Sequence, residues 1–106
     1  MNVELKEWTW SQYHGQQYSG LSLTIHGAVD FEPVCVGFGV TGLSELLGTQ
    51  HDTDKLRGAV EANREFLEKI ARDWIRSGRL DDDGFVHLTK EDLRPYFERR
   101  ATTAPA

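Results

Sequence analysis

Apolar and polar residues alternate along Leu21-Ser22-Leu23-Thr24-Ile25-His26, the period-two signature of a strand with one buried and one wetter face. The alternation resumes at Val34-Cys35-Val36-Gly37-Phe38, with Val34, Val36 and Phe38 on one side. Asp30 to Pro33 fall between as a turn or irregular link, so the two runs are expected to form an antiparallel hairpin. Pro33 has no N–H for a ladder and belongs at the strand's start or on an edge. Upstream, Val3 and Leu5 have one parity, Trp8 and Trp10 the other. A bulge near Lys6-Glu7 would bring all four to a common face. Ser11 to Gln17 is polar and reads as a loop or hairpin turn.

The period then changes. Leu43, Leu46 and Leu47 suggest a short helix ended by Gly48, a left-handed cap residue. From about Asp54 to Ser77 the apolar residues Leu56, Ala59, Val60, Phe66, Leu67, Ile70, Ala71 and Trp74 fall on one stripe at 100° per residue, predicting a single long helix. Asp52, Thr53 or Asp54 caps its start, and Gly78 stands just past its end. Glu65 with Lys69 and Glu68 with Arg72 are favourably ordered pairs on its outer face. Gly58 lies opposite the stripe, at a cost of about 1 kcal/mol relative to alanine and with no packing reason. After the turn Asp81-Asp82-Asp83-Gly84, Phe85 to Leu88 reads as a short strand. Thr89 caps a last helix, with Glu91 and Asp92 in its first turn and Leu93, Tyr96 and Phe97 on its apolar face. Pro95 kinks any continuation.

This order predicts an α+β fold: a small, mostly antiparallel sheet covered on one face by one long helix and one or two short ones. With 106 residues, 39% of them hydrophobic and 27% charged, the chain has room for one domain over about residues 1–100, followed by a disordered tail at 101–106. The formal net charge is −5 and is unevenly spread. Residues 1–50 hold one base, Lys6, against the acids Glu4, Glu7, Asp30, Glu32 and Glu45, while the second half is charge-rich and nearly balanced. That disfavours a general nucleic-acid surface, which needs Lys and Arg to displace counterions. Apolar runs fall far short of the roughly 20 residues of a membrane span. Acids stand where a secretory signal would carry bases. With a single cysteine there is no internal disulfide. These features favour a cytoplasmic, bacterial-type protein.

Few residues combine into chemistry. If Gly84 is the sixth position of a calcium loop, the first and twelfth are Arg79 and Lys90, where carboxylates are required. The run is read as an acidic turn. His14, His26, His51 and His87 have no His or Cys at ligand spacing, and Cys35 reads as a small half-buried hydrophobe, so neither metal nor cofactor is implied. Gly37 to Gly42 has the letters of a dinucleotide loop but lacks the parallel βαβ unit and the acid beyond it. Asn63 stands inside the apolar stripe, between Val60 and Leu67. Two readings are open. Its amide satisfies a loop or strand backbone group and fixes helix register, the leading reading, or Asn63 and Arg64 open onto a ligand or partner surface. Trp8, Trp10 and Tyr13 are similarly core residues or, on an edge strand, partner anchors.

Together, Pro33-Val34-Cys35, the leucines of the short helix, Asn63-Arg64, Ile70-Ala71 and Asp83-Gly84-Phe85-Val86-His87-Leu88 resemble a small bacterial family catalogued as domain of unknown function 1488, over about residues 20–93. The resemblance implies a small α+β fold and no established activity or catalytic residue. The expected function is a non-enzymatic module that binds another protein or itself, with the acidic first half and a sheet edge as contact surface. The alternatives are a regulator touching nucleic acid through bases of the long helix such as Arg72, Arg76 and Arg79, and a small-ligand or metal-dependent enzyme. Candidate binding residues are Asn63, Arg64, Trp8, Trp10 and Tyr13.

Overall fold

In the computed structural model, which describes residues 2–14, 19–49, 52–81 and 83–103, four strands lie side by side in chain order. They are β1 (Val3–His14), β2 (Ser19–Val29), β3 (Glu32–Gly39) and β4 (Phe85–Leu88). The first three pair antiparallel. Between β3 and β4 come helices α1 (Val40–Leu47), α2 (Thr53–Ala62) and α3 (Arg64–Arg76), so β4 returns parallel to β3, and α4 (Lys90–Thr103) follows. The fold is α+β with a mostly antiparallel sheet. α4 extends into the stretch expected as tail, and residues 104–106 lie outside the described residues.

Two details of the sheet follow from the alternation. The register between β1 and β2 shifts between Leu5 and Trp8, the bulge that Lys6-Glu7 required, and Val3, Leu5, Trp8 and Trp10 all pack against the core. Ser11 to His14, expected as a loop, instead continue β1, because their backbone finds partners in Ser22 to Ser19. The β2–β3 turn is tighter than the expected Asp30–Pro33 link. Only Asp30 and Phe31 lie between the strands, and Pro33 is the second residue of β3, opposite Ala28. Both turn residues have positive φ, 49° and 74°, as a two-residue hairpin of matching twist demands. Asp30 is tied down by Asn2, whose N–H donates to its carboxylate at 2.9 Å while its own N–H donates to the Asn2 carbonyl at 3.0 Å. Phe31 has no such help. It holds a left-handed conformation that costs a residue with a Cβ about 1–2 kcal/mol, and its ring is 96% exposed.

The core lies between one face of the sheet and the helices. Leu23, Ile25, Val36, Phe38 and Leu88 meet Leu43, Leu67, Ile70, Ala71 and Leu93, all at most 1% exposed. Caps fall where the sequence puts them. The Asp52 carboxylate accepts from Lys55 N–H at 3.0 Å, and Gly48 and Gly78 have positive φ. Thr89 and Asp92 exchange hydrogen bonds at the start of α4, and the helix runs on through Pro95. Gly58 is exposed, with nothing within 4 Å of where a Cβ would stand. Gly58→Ala is therefore expected to stabilise the fold by up to about 1 kcal/mol. A urea midpoint at or below wild type would contradict this. Among the described residues, no helix is long and apolar enough to cross a membrane.

The principal correction concerns the long helix. It is two helices, α2 and α3, separated at Asn63. A smaller one concerns the outer face of the sheet, where Ser22 and Thr24 are not wet but 1% and 6% exposed. They are short side chains among taller ones. A Cβ at Gly37 would meet Ser22 Oγ at 3.0 Å, His87 Nδ1 at 3.2 Å and Phe85 Cζ at 3.4 Å, so the β4 rings lean over this part of the face.

Candidate functional site

Asn63 breaks the helix because its side chain competes with the backbone ladder. Its amide Nδ2 donates to the Ala59 carbonyl at 2.7 Å. The same carbonyl already accepts the Asn63 backbone N–H at 3.0 Å. The residue sits at φ −110° and ψ 18°, away from helical values, and its N–H also reaches Val60 at 3.2 Å. The ladder resumes when Leu67 N–H donates to the Asn63 carbonyl at 3.0 Å. On its other side the Asn63 Oδ1 accepts from the Arg100 guanidinium of α4. The half-buried amide thus joins α2, α3 and α4, where the leading reading from the sequence had it bonding to a loop or strand.

Beside this joint, α3 and α4 border a groove of about 830 Å³. Phe66 and Tyr96 contribute aromatic surface, and Phe66 meets Phe97 edge-on, with ring centroids 5.1 Å apart and planes at 86°. Arg64, Lys69, Arg99 and Arg100 line it together with the acids Glu61, Glu65 and Asp73. The guanidinium groups lie over rings: Arg100 over Phe66 at 4.5 Å, Arg99 over Tyr96 at 4.9 Å and Arg64 over Trp8 at 5.1 Å. Such contacts are worth about 0.5–1 kcal/mol each at exposed sites and hold flexible side chains in place. Arg64 also stands 3.8 Å from Glu61, an exposed pair that adds little stability. The groove therefore offers cations already arranged around apolar surface.

Of the candidates read from the sequence, Asn63 and Arg64 line this groove. Trp8 joins them only from beneath, with its ring under Arg64 and against the core. Trp10 also faces the core, 5.7 Å from the Arg57 guanidinium. Tyr13 is in β1, and its side chain lies outside what is described, as does His51. Phe66, Tyr96, Arg99 and Arg100 were missed as site residues. From the sequence, Phe66 and Tyr96 read as apolar-face residues of separate helices, and only the packing of α4 beside α3 brings them to one groove.

The sequence also missed a hydrogen-bonded row on the outer face of the sheet. Thr9 Oγ1 lies 2.8 Å from His26 Nε2, and His26 Nδ1 lies 3.3 Å from Cys35 Sγ. Strand register brings them together, since Cys35 stands directly opposite His26. A two-residue turn at Asp30-Phe31 would have given that pairing, whereas the longer link expected here displaces it. Burial, reinforced by the Asp83 carboxylate, pushes the Cys35 thiol above its ordinary value. The sulfur keeps its proton at neutral pH and lacks the thiolate that nucleophilic chemistry requires. Nearby, burial lowers the His87 pKa, opposed by Asp92, so this ring favours its neutral form. The row ties three strands together, and Cys35 is the half-buried small side chain the sequence suggested. Among the described residues, no group of three or more His, Cys, Asp or Glu side chains is arranged to hold a metal. No family model, curated protein or solved structure matches the chain, so its functional reading rests on this geometry.

Proposed function

We propose that the protein is a non-enzymatic, cytoplasmic protein-binding module that holds an acidic, aromatic-bearing segment in the groove between α3 and α4. One observation carries the reading: four basic side chains converge with two aromatic rings on one groove, in a chain of net charge −5. Arginines stacked on rings suit such a segment, because guanidinium groups bond carboxylates bidentately while the ring faces accept apolar groups. The acids Glu61, Glu65 and Asp73 select against a uniformly anionic chain such as nucleic acid, and the bases of α3 alternate with Glu65, Glu68 and Asp73. The likeness to domain of unknown function 1488 adds no activity to this reading.

A labelled peptide alternating glutamate and phenylalanine tests it by fluorescence anisotropy. Binding is expected and should weaken as salt is raised. Arg64→Glu and Lys69→Glu should each reduce affinity about tenfold, or ~1.4 kcal/mol. Asn63→Leu, which removes the acceptor for Arg100, should also weaken binding while the chain stays folded. Equal affinity in wild type and both charge reversals would overturn the reading. A second reading, pairing between edge strands, is favoured by β1, which runs for 12 residues at the edge of the sheet.

A further inference from the structure

We infer that the segment the groove receives is the β2–β3 hairpin tip, Asp30-Phe31-Glu32, of a second copy of the same chain. This rests on the groove reading above and names its occupant. Two independent observations lead to it. The first is the tip itself. Phe31 occupies the turn position where positive φ favours glycine, and it projects its ring into solvent at 96% exposure. Neither the conformation nor the exposure helps the fold, and a residue held against both is suited to a contact made elsewhere. The second is complementarity. Phe31 is flanked by the exposed carboxylates Asp30 and Glu32, so the tip presents an aromatic ring between two negative charges. The groove presents Phe66 and Tyr96 among Arg64, Lys69, Arg99 and Arg100. The same pairing matches the acidic first half of the chain to its basic residues, almost all of which lie in the second half.

The Phe31 ring is open to solvent within its own chain, so its groove partner is another molecule. The contact joins two different surfaces. It is therefore heterologous, and each copy offers one tip and one groove, so association builds rings or open rows. The contact also fixes the order of events at the tip. Asp30 is already held by Asn2, so the hairpin docks as a preformed unit and loses little backbone freedom on binding.

Sedimentation velocity on the full chain tests this with two variants. Phe31→Gly removes the ring and suits the turn, so it should unfold at higher urea than wild type. Its groove is intact. Arg64→Glu/Lys69→Glu spoils the groove and leaves the tip intact, with circular dichroism to confirm folding and Lys69→Glu alone as a milder second groove variant. Wild type is expected to associate as concentration rises, and each variant alone to sediment as a monomer. Mixed, the two variants have one working tip and one working groove, and are expected to form a one-to-one heterodimer. A wild-type monomer at every concentration, or a mixture that stays monomeric, would overturn the inference. So would association kept in Phe31→Gly, which would indicate β1 edge pairing instead. Should the glutamate–phenylalanine peptide still bind wild type in any of those cases, the groove reading stands and only the second copy as its occupant falls.

Discussion

Phe38→Ala is expected to remove about 3–5 kcal/mol of stability. Phe38 heads the fully buried side chains ranked by size, at 0% exposure. It stands on β3 between Leu23 of β2 and Leu88 of β4, beneath the helices. Truncation removes the ring's transfer free energy and also leaves a cavity, because strands fixed on both sides by hydrogen bonds relax only partly. A domain of this length has roughly 5–15 kcal/mol in total. Urea unfolding followed by tryptophan fluorescence should show a midpoint lowered by a large fraction, or no folded baseline. A wild-type midpoint would mean that the ring is outside the core.

Gly27→Ala is expected to be almost as damaging, although it adds only one methyl group. A Cβ at Gly27 would stand 2.3 Å from the Glu4 carbonyl oxygen and 3.2 Å from Leu5 Cδ2. The near neighbour is backbone, so no side-chain rotation relieves the clash. β1 must move off β2 where Leu5 faces Gly27, one step before its register shifts. Forced insertion into packed structure costs about 1–3 kcal/mol, and an unyielding backbone puts this case at the upper end. The thermal unfolding midpoint should fall by more than about 10 °C, at about 4–8 °C per kcal/mol for domains near this size. An unchanged midpoint would show that β1 approaches less closely than described.

How far the sequence reveals these features depends on the range of the interaction behind each one. The bulge near Lys6-Glu7 was legible because side-chain parity is a local property: Val3 and Leu5 cannot share a face with Trp8 and Trp10 unless one residue is added between them. The caps at Asp52, Gly48 and Thr89 were legible for the same reason. The break at Asn63 was not. Hydrophobic periodicity records which residues face inward and continues across it, since Val60 and Leu67 are both buried. What breaks the helix is a bond from the Asn63 amide to Ala59 together with an acceptor role toward Arg100, a residue 37 positions away. Asn63 was singled out, but as a pin for the sheet and not as a joint between helices.

The hairpin tip illustrates a second limit. Aspartate followed by glycine is a strong two-residue turn signal, and Asp30-Phe31 departs from it, so the sequence suggested a longer link. That one difference hid both the His26–Cys35 pairing and the exposed position of Phe31. The groove was hidden differently. Arg64 and Asn63 were visible candidates, but Arg99, Arg100 and Tyr96 join them only through the packing of α4 beside α3. Residues that break a local rule, Asn63 inside an apolar stripe and Phe31 in a turn, turn out to mark the two surfaces on which the functional reading rests.

Amide chemical-shift mapping reads occupancy of the groove at the broken helix residue by residue. Isotope-labelled protein is titrated with the unlabelled glutamate–phenylalanine peptide and the perturbed amides are assigned. Shifts should gather at Asn63 to Lys69 and at Tyr96 to Arg100, with Trp8 beneath Arg64, leaving the rest of β1 and the outer face of the sheet unmoved. Shifts along Trp10 to His14 instead, or none at saturating peptide, would show that the groove is not the binding surface.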